Sequence, residues 1–537
     1  MTSSPVSPGR QNFWRRRGRG GKILIVLLCT GFVVAVAFGT AFTVVYNESR
    51  VETSGQHEFA NPVAIPPVVE PRRGADGRDH VDLRLQTGTT EFLRGKQTRT
   101  WGVNGSYLGP TIRVRKGQHV SIHVTNDLPE SSSLHWHGMR LPAVMDGGPY
   151  QEIEPGETWN PHWEVKQPAA TLWYHPHPHG RTAEHVYRGV SGMLLVDDDI
   201  SDALELPDDY GVDDIPLIIQ DKAFTDDGQL DFNGRGMGPG STGILGDTVL
   251  VNGTHDPHLE VTRTVTRLRV LNGSPARIYD LGFDDDRPFA VIASDSGLLP
   301  APVERTRLRL SPGERVELLV TMEPGETSIL RSHPTDLGGG FPADRFAGAD
   351  DTLDILQLRA KTTLEPNPAA PRTLSAEEPL TAPADARVRR FELSGTAFIN
   401  GESMDMGRID EVVAAGATEI WEVRGAGLPH NFHIHDVAFR ILTIDGREPP
   451  AWQAGRKDTV FIPAGSTVRL VVRFGTDVDP ATPYMYHCHL LYHEDSGMMG
   501  QFVIVEPGQE SSTPRRLDTG GVHDGRGGHG AGHDGHG

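Results

Sequence analysis

The placement of histidines restricts how this chain can fold more than any other feature. Four His-x-His pairs, His135/His137, His175/His177, His433/His435 and His487/His489, fall in two groups near opposite ends of the 537-residue sequence. On a strand or extended loop, side chains two apart share a face, so each pair presents two imidazoles on one side. Imidazole suits several transition metals, and a single pair is weak evidence; four pairs, the last enclosing a cysteine, form a specific signal. That cysteine, Cys488, is the only one outside an apolar N-terminal run, so an intrachain disulfide is not open to it within the large domain. A thiolate with imidazoles nearby and Met498 further on is the donor chemistry of an electron-transfer copper, which takes two imidazoles, one thiolate and a weak axial thioether. The competing reading is a buried free cysteine acting as a small hydrophobe. If Cys488 lies on a strand, His487 and His489 face away from it, toward a second metal site wired directly to the first.

The chain is too long for one core, and about three domains is the expectation. Helical periodicity is scarce. Short runs such as Thr111-Ile112-Arg113-Val114, His119 to Val124 and Val468 to Val472 alternate apolar and polar residues between Gly, Pro and Asn, which reads as an all-β sandwich architecture. The turns Pro155-Gly156-Glu157, Pro312-Gly313-Glu314 and Pro463-Ala464-Gly465 recur near strands as a weak internal repeat, supporting three copies. The copies are placed at 56–205, 210–362 and 389–510. The middle one holds no His-x-His and no cysteine and reads as a metal-free spacer that helps shape a substrate cleft. Residues 363–388, rich in proline and acids, read as a linker crossing its surface.

With these motifs the chain resembles the multicopper oxidases, the family of laccases, cuprous oxidases, bilirubin oxidases and ferroxidases, over about residues 75–507. The resemblance implies three cupredoxin-like Greek-key sandwiches and four coppers per chain. By that resemblance the type 1 copper takes His430, Cys488, His493 and, axially, Met498. The type 2 copper takes His135 and His433, and the type 3 pair takes His137, His175, His177, His435, His487 and His489. His179, one step past its pair, is left beside the ligands or facing solvent. Clusters from both ends of the chain would share the three-copper site, which places it between the first and last domains. The resemblance also gives Asp146 and Glu494 a proton-relay role. The alternatives are that Asp146 caps a turn before its glycines and that Glu494 sits in a surface ion pair.

The ends of the chain carry other signals. Residues 1–22 form a basic N-terminus, followed by an uncharged apolar run from Ile23 to Tyr46 that is long enough to span a bilayer. The basic cluster would stay in the cytoplasm, sending the remainder outward. A cleaved signal peptide is the alternative, although no convincing small-x-small site follows the run. Six Arg/Lys and no acid fall in residues 1–46, so the rest is even more acidic than the net charge of −20. That balance disfavours nucleic acid and suits solubility, or the attraction of cationic reductants. Residues 511–537 form a Gly/His-rich tail that cannot bury a core and is expected to be disordered, either gathering copper loosely or simply solvated.

These readings converge on a membrane-anchored, extracytoplasmic oxidase. It would couple one-electron oxidation of a phenol, an aromatic amine or a low-valent metal to four-electron reduction of dioxygen to water. A copper-sequestering protein without turnover and a scaffold that keeps the fold without catalysis are the alternatives. Cuprous oxidases of the family often carry a Met-rich insertion and a Met or Asp ahead of the type 1 histidine. Here Gly425 to Pro429 precede His430 and no such insertion is present, which counts against dedicated cuprous oxidation.

Overall fold

The computed structural model describes residues 19–232, 241–368 and 370–517, with the side chains of 19–22 left aside. The basic cluster at Arg15 to Arg17 and the tail histidines lie outside the described residues. The chain divides into two compact units, residues 1–50 and 51–537.

The first unit is the 30-residue helix Arg19–Glu48. At 1.5 Å per residue it is about 45 Å long, more than the roughly 30 Å of a bilayer's hydrocarbon core. Leu28, Phe32 and Phe38 are among its many exposed apolar side chains. The Thr40 and Thr43 hydroxyls bond back to the carbonyls of Val36 and Gly39, at 2.8 Å each, so neither needs water. Among the described residues this is the one helix long and apolar enough to cross a membrane.

The second unit contains six sheets paired into three sandwiches. Alternation forms them. Along Asp79–Thr90 the side chains of Val81, Leu83 and Leu85 turn inward, while on Thr418–Ala426 Trp421 and Val423 do the same. Each sandwich repeats one topological device, a parallel pair in both of its sheets. The pairs are Asp79–Thr90 with His119–Asn126 and Thr111–Arg115 with Gly192–Asp197 in the first sandwich. In the middle one they are Asp214–Lys222 with Val265–Asn272 and Pro257–Arg263 with Leu353–Glu365. Val388–Ser394 with Thr418–Ala426 and Glu411–Ala414 with Met499–Val505 complete the third. The recurrent turns sit at matching places: Gly156, Gly313 and Gly465 have φ of 86°, 81° and 78° and lie just ahead of the strands Thr158–Trp159, Arg315–Thr321 and Thr467–Arg473. A left-handed residue there favours glycine, which explains why that turn recurs in the sequence. The fold is the expected all-β set of three cupredoxin-like sandwiches behind an apolar N-terminal helix.

Two segments belong elsewhere than the sequence placed them. The start of the first domain joins the middle sandwich: Asn61–Pro62 runs parallel to Pro257–Arg263, and the Asp256 carboxylate accepts from the Phe59 N–H at 2.7 Å. Residues 511–517, placed in the disordered tail, pack back on the third sandwich. There Leu517 lies against Ile409, Val412, Val503 and Val505, and its N–H bonds Gly407 O at 2.9 Å. Arg515 adds to the docking, its carbonyl accepting from Ile409 N–H at 3.0 Å and its guanidinium donating to Asp410 O at 2.7 Å, and Arg516 pairs with Asp405 at 3.4 Å. The linker lies on the middle sandwich, with Leu374 inserted into that core and its N–H on Pro300 O.

Candidate metal centre

Strand alternation sorts the donors. On His135–His137, Trp136 is buried in the first core while both histidines face the other way; His135 pairs with His175 and His137 with Trp173 across the neighbouring strand Ala170–His175. On His430–Ile434, Phe432 and Ile434 enter the third core and His433 turns out, opposite His487. Cys488 lies in that same core, so its neighbours His487 and His489 face the histidines of the first sandwich.

Two separate donor groups result. In the first, Cys488 Sγ lies 3.7 Å from His430 Nδ1 and 3.5 Å from His493 Nδ1, and those two nitrogens are 3.2 Å apart. Burial pushes the Cys488 thiol up to about 12 and His493 down to about 4. The thiol alone therefore keeps its proton, and a bound metal ion would have to displace it. Met498 is fully buried in the same core, and its carbonyl accepts the Cys488 N–H at 3.1 Å.

The second group is a nest of eight imidazoles. Nε2 of His487 is 3.3 Å from Nε2 of both His177 and His435, and the three form one candidate site. His137 Nδ1 is 3.3 Å from His175 Nε2, with the His489 ring 5.0 and 5.2 Å from the two rings. His135 and His433 give Nδ1–H to the backbone carbonyls of Asp146 and Asp458, at 2.9 and 2.8 Å, and are left with Nε2 unpartnered. An imidazole donating through one nitrogen offers a lone pair on the other. Burial, reinforced by neighbouring imidazoles, holds His137, His175, His433 and His435 well below the ordinary range and His177 and His489 at about 3. These shifts favour the neutral, ligating form in those six. His179 is exposed and outside the nest.

Two carboxylates close the nest from behind. Glu494, 2% exposed, places its oxygens 3.1 Å from His487 Nδ1 and 3.6 Å from His177 Nδ1. It is no surface ion pair. Burial raises its carboxyl, but the His487 and His177 imidazoles outweigh this and hold it well below the usual range. Asp146 Oδ2 lies 2.6 Å from His435 Nδ1, so it engages a histidine of the nest rather than only its own turn. The next acid, Asp495, accepts from the N–H groups of Thr182 and Ala183 at 2.8 and 2.9 Å, tying the segment that carries His493 to a helix of the first sandwich.

Several participants had no sequence signal. Asp458 bonds His137 Nε2 at 3.0 Å, and the middle sandwich supplies Arg315 to hold that carboxylate. The carbonyl of Ser241 accepts from His493 Nε2 at 2.8 Å. A backbone carbonyl carries no residue signature at all.

Comparison with known proteins decides the family. Multicopper oxidase family models match residues 84–201 and 375–508. The multicopper oxidase mco of Staphylococcus aureus is 35% identical over 451 residues, covering 83% of this chain and 93% of that protein. The chain belongs to the multicopper oxidase family. Another relative of the chain is the cell division protein FtsP of Salmonella typhimurium, 39% identical over 464 residues, or 85% of this chain and 94% of that one. The crystal structure of a laccase from Pediococcus acidilactici matches with a TM-score of 0.75 at 34% identity, over 83% of this chain and 94% of the laccase. The family uses copper, and this chain's donors suit it. One buried thiol stands beside two imidazoles, and in the nest the buried nitrogens His135 Nε2, His433 Nε2 and both of His489 have no hydrogen-bond partner.

Proposed function

We propose that the protein is an extracytoplasmic multicopper oxidase with four coppers, oxidising a phenol, an aromatic amine or a low-valent metal ion one electron at a time and reducing dioxygen to water. One observation carries the reading: a buried thiol–imidazole group and an eight-imidazole nest, joined by the single peptide segment His487-Cys488-His489. His430, Cys488, His493 and Met498 would hold the type 1 copper, and His135 and His433 the type 2 copper. His137, His175 and His489 would hold one type 3 copper, and His177, His435 and His487 the other. When bound, the coppers supply storage for several electrons, which lets one-electron donors serve a four-electron reduction. The chain's own part is to neutralise and aim the imidazoles, to keep the nest dry, and to bring protons through Asp146 and Glu494. The apolar helix Arg19–Glu48 would anchor the second unit outside the membrane.

Copper analysis and oxygen uptake test the proposal, with a phenol, an aromatic diamine, Cu(I), Fe(II) and Mn(II) offered in turn. Four coppers, a blue colour and oxygen uptake with at least one reductant are expected. The similarity to proteins named for cell division favours a second reading, a scaffold with the same fold. Copper-loaded protein that takes up no oxygen with any of the five reductants would favour that scaffold, or a copper store.

Two predictions arise here. A thioether donates weakly to Cu(II), so Met498→Leu is expected to raise the potential of the blue site. A redox titration with no upward shift would assign the axial position to another group. A protein spanning 51–517 keeps every proposed ligand and the docked Leu517 segment. It is expected to match the full second unit in turnover once loaded, differing only in the rate of loading at scarce copper if the tail gathers metal. A large loss of turnover in the loaded 51–517 protein would give residues 518–537 a structural role.

A further inference from the structure

Among the described residues the middle sandwich contributes no donor to either group, yet one of its side chains reaches the carboxylate beside the nest. Arg315 is fully buried, and all five of its guanidinium N–H groups have an acceptor. Nη1 and Nη2 grip the Asp458 carboxylate at 2.7 and 2.6 Å, while Nε donates to Thr171 O in the first sandwich at 3.0 Å. The remaining two bond Gly313 O at 3.0 Å and Asp295 O at 2.9 Å. One planar group thus ties together all three sandwiches. The charges around it are paired in turn. Lys457 meets Asp295 at 2.9 Å and Glu314 at 3.0 Å, and the Arg315 N–H donates to Asp295 at 2.8 Å.

Asp458 passes this order on to two histidines in opposite senses. Its Oδ1 lies 3.0 Å from His137 Nε2, which places that ring's proton on Nε2 and leaves Nδ1 directed at His175. Its backbone carbonyl takes Nδ1–H of His433 at 2.8 Å, which leaves that ring's Nε2 unpartnered. The two rings stack, with centroids 3.7 Å apart and planes 15° from parallel, although they come from different sandwiches. The Thr459 hydroxyl, which donates to Asp458 Oδ1 at 3.0 Å, sits between the same two nitrogens, 3.1 Å from His137 Nε2 and 3.2 Å from His433 Nδ1. Asp458 and its neighbour together therefore favour opposite tautomers on the two stacked rings. The sequence makes room for this contact: a Cβ on Gly138, next to His137, would stand 2.6 Å from Asp458 Oδ2 and 2.9 Å from Arg315 Nη2. A buried ion pair is weak evidence for stability, because taking both charges out of water opposes their attraction. Its best-attested use is to fix a particular arrangement.

We infer that Arg315 is a positioning residue of the copper nest, acting through Asp458 to hold His137 and His433 in the tautomers and stacked arrangement that bind metal. The middle sandwich is then part of the site rather than a spacer. The inference rests on the copper reading above, and the experiment separates the two.

The test compares the full-length protein with Arg315→Gln, Arg315→Lys and Asp458→Asn. Copper per chain, the blue absorption, the paramagnetic-resonance hyperfine splitting of the type 2 copper, and copper affinity by competition with a chelator are recorded for each. Residues that orient metal ligands typically contribute about 10–100-fold in affinity. Arg315→Gln and Asp458→Asn are expected to keep the blue absorption, to lose that much affinity at the type 2 position and to shift its hyperfine splitting. Arg315→Lys, which keeps the charge but not the two-pronged grip, is expected to fall between them and the parent. Variants that load copper with the parent's affinity and splitting would overturn the inference. Loss of the blue absorption along with the other coppers in both Arg315→Lys and Asp458→Asn would also overturn it, since the pair would then hold the fold and not the ligands. A parent protein that takes up no copper would instead defeat the functional reading.

Discussion

Cys488→Ser is expected to abolish the blue absorption and all turnover while the remaining coppers stay bound. Cys488 is the only thiol among the described residues of the second unit, 3.5 and 3.7 Å from the two imidazole nitrogens of its group. A serine hydroxyl is a far poorer donor to copper and gives no intense charge-transfer band. The nest is expected to survive because its geometry is fixed independently. His487 is held by Glu494 and by pairing to Met499, and His433 by the Asp458 carbonyl. The buried hydroxyl would cost about 1–3 kcal/mol if left without a partner. Asn431 Oδ1, 3.6 Å from the sulfur, is positioned to accept from it, so the fall in thermal midpoint is expected to be modest. Absorption spectra, copper analysis and oxygen uptake on the purified variant check each point. A variant that stays blue would remove Cys488 from the site.

The donors were readable because strand periodicity is short-range. His135/His137 and His433/His435 must share a face whatever the rest of the chain does, and a lone thiol flanked by imidazoles has few other uses. The three sandwiches were readable for the same reason, through alternation and a turn in which Gly156, Gly313 and Gly465 all need positive φ. What escaped was set by tertiary contact. Arg315 lies 143 residues from Asp458, and in the sequence it is one of many arginines beside an acid. Asn61–Pro62 is a two-residue strand, too short for any pattern, and its partner lies in the next domain. The segment ending at Leu517 docks through one apolar side chain and a few polar contacts of Arg515 and Arg516, with no periodic pattern to announce it. Glu494 was picked out by resemblance, whereas its burial against two imidazoles is a fact of packing alone.

Those two acids carry the other large effect. Forming water from dioxygen consumes as many protons as electrons, and the nest's imidazoles are buried from solvent. In the group formed by His177, His435 and His487, every Nδ1 meets one of two carboxylates: Glu494 at 3.6 and 3.1 Å and Asp146 at 2.6 Å. Both acids are buried, and Asp146 Oδ1 has no hydrogen-bond partner, so a carboxylate oxygen remains to receive a proton on its way in. Glu494→Gln and Asp146→Asn keep size and one acceptor oxygen while replacing a carboxylate that can take up and release a proton by an amide that cannot. Both are expected to retain the blue colour and the coppers, to accept electrons from a reductant at the parent's rate, and to reoxidise in dioxygen about a hundredfold or more slowly, the usual contribution of a general acid–base group. Stopped-flow reoxidation of the fully reduced variants makes the measurement, and its solvent isotope effect separates a proton step from a misplaced imidazole. A slowed variant with an enlarged isotope effect supports the relay. Reoxidation at the parent's rate would take both carboxylates out of the chemistry and leave them only the task of orienting the imidazoles they touch.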